Sequence, residues 1–190
     1  KPNLSPFSFF NVFSANPPIA IFSPARRIRD NTTKHTLENI KETKEVVINV
    51  VTRDIVEKVS LSSCEYGKGV NEFLKAGLKA VKSETIKPFR VEESPISFEC
   101  KVKEIISLGK KNGAGNLIIC EIKMIHINKD IINEHGDIDR KKINLVGRLN
   151  GNWYCETTLE SLFEVAKPNK KLGIGVDNIP DEIKNNSLFD

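Results

Sequence analysis

Between Ser23 and Thr36 the chain reads Ser-Pro-Ala-Arg-Arg-Ile-Arg-Asp-Asn-Thr-Thr-Lys-His-Thr, which sets Arg26, Arg27, Arg29 and Lys34 against one carboxylate, Asp30. Thr32, Thr33 and Thr36 add hydroxyls, and the segment opens into a helical pattern. Cations, hydroxyls and the free N–H groups of a helix N-terminus are the groups with which proteins hold a phosphate. These 14 residues therefore suit a small phosphorylated anion. Taken alone they are equally compatible with an exposed loop that ends in an ordinary N-cap.

Just upstream, Ser5–Phe13 alternates aromatic residues with hydroxyl and amide groups. Ser8, Phe9, Phe10 and Asn11 would give a strand with backbone donors, an amide, a hydroxyl and an apolar bed from Phe7 or Phe9. A flat ring with polar edges needs that combination, although an aromatic strand is more commonly plain core. Asn16-Pro17-Pro18 supplies a turn, and Ile19 to Ser23 returns as a short apolar strand that leads into the basic loop. Strand pair and loop together meet the demands of flavin mononucleotide (FMN), a planar ring carrying one phosphate.

Other candidate chemistry is weaker. His35, His126 and His135 share no metal-ligand spacing, and His126 lies in an apolar strand pattern as a satisfied core or edge residue. Gly109 to Gly115 lacks the order of a phosphate-binding P-loop and reads as a hairpin turn. Gly173-Ile174-Gly175 has no surrounding βαβ context. Trp153, the single tryptophan, follows two glycines and reads as core or as a cover for an open ring face. Cys64, Cys100, Cys120 and Cys155 form no CxxC pair, as buried thiols in a reducing compartment would not.

The elements that must position these residues follow from periodicity. A helix is expected from Thr32 or Thr33 to about Thr43, burying Leu37 and Ile40 and capped by Asp30, Asn31 or Thr32. Glu45–Val51 is a β-branched run typical of a buried strand, followed by a second helix capped by Thr52 or Asp54 and ending near Ser63. Glu65–Pro95 reads as a surface excursion with a short helix over Val70–Ala76. Ile96–Leu108 and Asn116–Asn128 form a long hairpin, with Ile96, Phe98, Cys100 and Val102 inward and Ser97, Glu99, Lys101 and Lys103 outward. A further strand is expected over Val146–Tyr154, and residues 166–190 form an irregular extension with a loop at Gly173–Pro180 and a helical turn at Asp181–Asn185. Five or six strands with two real helices make a small β-barrel or sandwich with helical insertions, in one domain spanning residues 1–190.

Composition narrows the class. Hydrophobic residues at 39% and charged residues at 28% suit a soluble globular chain, and no window approaches the roughly 18 apolar residues of a membrane span. The net charge of +4 is spread over alternating Lys and Glu rather than gathered into a nucleic-acid footprint. We therefore expect no nucleic-acid and no membrane partner, and a cytoplasmic location; an OB-like binder of single strands is the minor alternative.

Six blocks carry a wider resemblance: residues 2–27 (PNLSPFSFFNVFSANPPIAIFSPARR), 29–40 (RDNTTKHTLENI), 45–51 (EVVINVV), 94–102 (SPISFECKV), 115–127 (GNLIICEIKMIHI) and 145–155 (LVGRLNGNWYC). Together, over roughly residues 2–165, they resemble the flavin reductase-like, FMN-binding split-barrel family, in the branch of flavoredoxin and the reductase components of two-component monooxygenases. His35 stands where that family usually has Asp, and Asn3 lies within a turn that the family precedes with a further strand, absent from this chain.

The resemblance implies a six-stranded antiparallel Greek-key split barrel that binds FMN near a homodimer interface. It implies hydride uptake from NADH or NADPH, with electrons passed to free flavin, a monooxygenase partner or another acceptor; a non-catalytic FMN-binding electron carrier that docks a redox protein is the alternative. By position, Ser8, Phe9, Phe10 and Asn11 would line the ring and ribityl chain, with Ser23, Pro24 and Ala25 beside it. Arg27, Arg29, Asp30, Thr32, Thr33, Lys34 and Thr36 would surround the phosphate. No catalytic side chain and no metal ligand is nominated, because the flavin carries the hydride chemistry.

Overall fold

The computed structural model describes residues 2–165. In chain order its elements are β1 (Phe10–Ala15), β2 (Pro18–Phe22), α1 (His35–Thr43), β3 (Glu45–Asn49), α2 (Val56–Leu61), α3 (Glu72–Ala76), β4 (Ala80–Val81), β5 (Arg90–Val91), β6 (Ile96–Ser107), β7 (Asn116–Ile127), β8 (Val146–Arg148) and β9 (Tyr154–Glu156). Packing divides the chain into Lys1–Thr157 and Thr158–Asp190. Of the second unit, the described residues contain one 3₁₀ turn at Leu159–Ser161.

The first unit is built on an antiparallel sheet in the order β1-β2-β7-β6-β3, with β4-β5 and β8-β9 as separate two-stranded ribbons. This is mainly β with few helices, as expected, but the main sheet has five strands rather than six and does not close into a barrel among the described residues. The expected hairpin is its spine: β6 and β7 pair along their whole length, from Ile96 opposite Ile127 to Ser107 opposite Asn116. Its apolar alternation fixes the register, because a slip of one residue would turn every inward side chain to the other face.

One face of the sheet is covered by α1. Leu37 and Ile40 pack with Ala20, Phe22, Cys100, Ile118, Cys120 and Ile122, and the Phe7 ring lies tilted against Phe22 with centroids 5.6 Å apart. Removing a leucine-sized side chain from water stabilises by about 1.5–3 kcal/mol, so two such residues suffice to seat a nine-residue helix that would be marginal alone.

On the opposite face of the hairpin Lys101 and Lys103 are exposed as expected, but Ser97 and Glu99, also expected outside, are covered. Ser97 and Glu99 are buried: the Ser97 hydroxyl donates to Asn49 Oδ1 (2.9 Å), and the segment carrying Glu84 and Thr85 folds onto Glu99. Glu99 accepts hydrogen bonds from the amides of Glu84 (2.8 Å) and Thr85 (2.7 Å), from the Thr85 hydroxyl (2.6 Å) and from His126 Nε2 (2.6 Å). Burial pushes its pKa up, but these donors outweigh burial and hold it down at about 2.

The segment 65–95 is likewise more than a surface excursion: Phe73, Ala76, Leu78 and Val91 form a second core with Leu4, Val59 and Phe89. The short helix inside it begins at Glu72, two residues later than expected, where the Asn71 side chain accepts from the Phe73 amide. The strand expected over Val146–Tyr154 is instead the β8-β9 hairpin, since Gly151 takes a left-handed φ of 61° and turns the chain. Trp153 at its tip is 77% exposed, not core. The loop and turn expected at 173–185 lie outside the described residues.

Candidate functional site

The basic loop is held in place by the hairpin turn. The Arg26 amide donates to the Ala114 carbonyl (2.9 Å), the Gly113 amide to the Arg26 carbonyl (3.2 Å) and the Asn31 side-chain amide to the Lys110 carbonyl (3.0 Å). Asn116 secures the other end, its Nδ2 donating to the Pro24 carbonyl at 3.0 Å. A Cβ at Gly115 would fall 2.6 Å from Ser23 Oγ, so a larger residue there would oblige that hydroxyl to move. The loop then reverses through Asn31, whose φ of 59° is left-handed, a conformation asparagine tolerates better than most residues.

α1 starts at His35, not at Thr32 or Thr33. Lys34 is its N-cap and no side chain caps it, because the expected caps are engaged elsewhere. Asp30 accepts from the Thr32 amide (3.0 Å) and hydroxyl (2.7 Å), Asn31 Oδ1 accepts from Arg26 Nε (2.7 Å), and the Thr33 hydroxyl donates to Glu38 (3.0 Å). The two bonds from Thr32, with Arg29 Nε at 3.0 Å, hold the Asp30 carboxyl below the usual carboxylate range. The second helix is similarly shorter than expected and uncapped by Thr52 or Asp54: it begins at Val56, with Ile55 as N-cap.

An uncapped helix leaves its first N–H groups to be satisfied by something else. Lys34, His35 and Thr36 line a narrow cleft shared with Asn3, Arg27, Ser62, Ser63, Glu65 and Glu72. Arg27 is the cation driven furthest into it, its side chain only 10% exposed. Its Nη1 donates to the Thr32 hydroxyl (3.0 Å) and the Thr33 carbonyl, while its buried Nε has no hydrogen-bond partner. Glu65 Oε1 lies 3.4 Å away without hydrogen-bonding geometry, and Glu65 Oε2 pairs with Arg29. The Glu72 carboxylate is committed to Asn3 Nδ2 and the Leu4 amide, both at 3.2 Å, and the Thr36 hydroxyl donates to Asn3 Oδ1 at 2.9 Å.

The structure thus gathers Arg27, Lys34 and Thr36 into one cleft, with Arg29 linked to it through Glu65. Asp30, Thr32 and Thr33 shape the loop by internal hydrogen bonds. Ser23 and Pro24 are buried under the hairpin turn, and Ala25 is half-buried. Ser8, Phe9, Phe10 and Asn11 are not in the cleft: they lie on the exposed edge strand and its approach, joined to the loop by the Ser23 amide bond to the Phe9 carbonyl (3.0 Å). Phe9 is 71% and Phe13 64% exposed. A register shift between Val12 and Ser14 turns Phe13 out of the ladder, and among the described residues no further strand covers the edge.

Sequence reading missed Glu65, Ser62, Ser63 and Asn3, which reach the cleft only through folding. The one signal was the polar run Ser62-Ser63-Cys64-Glu65 bounded by Gly67 and Gly69. No cluster of three potential metal ligands occurs among the described residues.

The donor set fits a phosphate monoester: a buried guanidinium with an orphaned N–H, a helix start without a cap, and a lysine and a threonine within one turn of it. It fits FMN by that chemistry, and the exposed aromatic strand lies at the far end of the same loop.

Three known proteins are similar to this chain. An uncharacterised protein of Aquifex aeolicus is 35% identical over 86% of this chain and 81% of its own length. Nitrilotriacetate monooxygenase component B from Bacillus cereus superposes with a TM-score of 0.78 at 27% identity, over 86% of this chain and 79% of its own. A protein with a split barrel domain from Shewanella frigidimarina NCIMB 400 superposes with a TM-score of 0.72 at 27% identity, covering 86% and 77%. Residues 1–142 match the family described as flavin reductase like domain, three quarters of the sequence and all of the sheet and cleft described above. The chain belongs to the flavin reductase like family.

Proposed function

We propose that this protein binds FMN in its basic cleft and is an NADH- or NADPH-dependent flavin reductase. Bound there, FMN would supply the two-electron chemistry, accepting hydride and passing electrons to free flavin, a monooxygenase partner or another acceptor. Arg27, Arg29, Lys34 and Thr36 would hold the phosphate, with Asp30, Thr32 and Thr33 fixing the loop that presents them. Ser23, Pro24 and Ala25 would pass beside the ribityl chain, and Ser8, Phe9, Phe10 and Asn11 would bed the ring. The observation that carries the reading is Arg27: a guanidinium nine-tenths buried, with one N–H unsatisfied, at an uncapped helix start. Such a group is costly to leave unpaired, and a phosphate oxygen would relieve it.

A homodimer follows from the same reading. Phe9, Phe10, Val12 and Phe13 leave an apolar, unpaired sheet edge, which a second copy would cover while walling the ring side of the site. We take the whole chain as one flavin-binding domain with an extension at 166–190.

Anaerobic mixing of the protein with FMN and NADH or NADPH tests the activity: the flavin absorption band bleaches if the reading holds. Binding without bleaching by either nucleotide would leave an electron carrier instead. For the site, Arg29→Ala with Lys34→Ala weakens FMN binding by about 2 kcal/mol, as loss of charge-assisted hydrogen bonds should. Unchanged affinity in a fluorescence titration removes the phosphate assignment.

A further inference from the structure

Glu65 is a carboxylate placed between two arginines that the proposed phosphate would claim. Its Oε1 lies 3.4 Å from Arg27 Nε, and its Oε2 pairs with Arg29 Nη1. The fit is poor on one side, since Arg27 Nε makes no hydrogen bond despite that proximity. Glu65 is also weakly anchored. Among the described residues neither its N–H nor its carbonyl has a hydrogen-bond partner, and it leads into Tyr66-Gly67-Lys68-Gly69, where Gly67 has open space around it.

The other carboxylates nearby are committed. Glu72 is held by Asn3 and Leu4, and Asp30 by Thr32 and Arg29. Glu65 alone makes nothing but ion pairs to the cleft cations.

We propose that Glu65 is an internal counter-ion of the cleft, which neutralises Arg27 and Arg29 when no flavin is bound and is displaced by the FMN phosphate. This rests on the reading of the cleft as a phosphate site and names the residue that sets how loosely that site holds its ligand. Displacing one carboxylate from two guanidiniums opposes phosphate binding, and only phosphate binding. A flavin without a phosphate leaves Glu65 where it is. The device offsets the charge of two arginines when no flavin is bound and lets phosphorylated flavin leave readily, which suits a protein that hands flavin on.

Comparing FMN with riboflavin in fluorescence titrations of the wild type, Glu65→Gln and Glu65→Ala separates the possibilities. The expected result is FMN binding tightened about tenfold in both variants, a coupling of ordinary size, with riboflavin binding unchanged. Inorganic phosphate should likewise raise the melting temperature of the variants more than that of the wild type. If the wild type prefers FMN to riboflavin but neither variant binds FMN more tightly, the counter-ion role is overturned and the phosphate site stands. If neither the wild type nor the variants distinguish FMN from riboflavin, the phosphate site itself falls and this inference with it. A matching circular dichroism spectrum shows that the exposed loop substitutions leave the fold intact.

Discussion

β7 and β1 belong to one sheet and are similarly rich in large apolar residues, yet they are used in opposite ways. β7 runs through the middle of the sheet between β2 and β6, and Ile118, Cys120 and Ile122 disappear under α1. Burial pushes the Cys120 thiol up to about 12, so it is an inert part of the core. β1 lies at the sheet edge, pairs among the described residues with β2 alone, and leaves Phe10, Val12 and Phe13 exposed, as is Phe9 just before it. The difference lies in position in the sheet, not in composition. A central strand has neighbours on both sides and a helix above it, whereas an edge strand has one neighbour and must find its remaining cover elsewhere. Apolar residues in β7 therefore stabilise this chain, while those in β1 are available to a ligand or a second copy.

That contrast can be broken at its strong end first. Leu37→Ala, which removes the side chain by which α1 covers β7, should lower stability by about 2–5 kcal/mol in urea denaturation, through lost burial and the cavity left behind. A loss under 1 kcal/mol would mean that α1 does not seal this face.

The hairpin's other face gives a smaller effect with a pH signature. Glu99→Gln should cost about 1–3 kcal/mol at pH 7, since the donors of Glu84, Thr85 and His126 lose their charged acceptor. Because the Glu99 pKa is depressed, its contribution is complete above the unfolded value of about 4.3 and is lost as the pH falls toward about 2. The gap between wild type and variant should therefore narrow on acidification from about pH 4.5 downward. A gap independent of pH would show that the carboxylate is not what these groups hold.

At the weak end, Phe13→Ser should change the stability of the dilute protein by no more than about 0.5 kcal/mol, as surface substitutions do. The same change should reduce self-association measured by sedimentation at high concentration. A large loss of stability in dilute solution would place Phe13 in the fold of the single chain, and the contrast with β7 would disappear.

What could be read in advance follows the same division. The β6-β7 hairpin was legible because alternation and a Gly-rich turn are local signals, and Leu37 and Ile40 because three-residue spacing marks a helix face. The inward turn of Glu99 was not, because nothing nearby in sequence announces that Thr85 and His126 will converge on it. The start of α1 was misplaced for a related reason. Asp30, Asn31 and Thr32 all have cap-forming side chains, but each is taken by a partner that the loop's own folding supplies.

The sequence by itself determined the antiparallel spine, the helix face that covers it, the concentration of cations between Ser23 and Thr36, and the likeness to a flavin reductase family. Those depend on residue type and short-range spacing. Only the tertiary structure decided that Arg27 is the buried cation, that Lys34 leaves α1 uncapped, and that Glu65 arrives from 38 positions further along to neutralise the cleft. Burial and charge pairing are properties of surfaces brought together across the chain, and no local pattern encodes which carboxylate will meet which arginine.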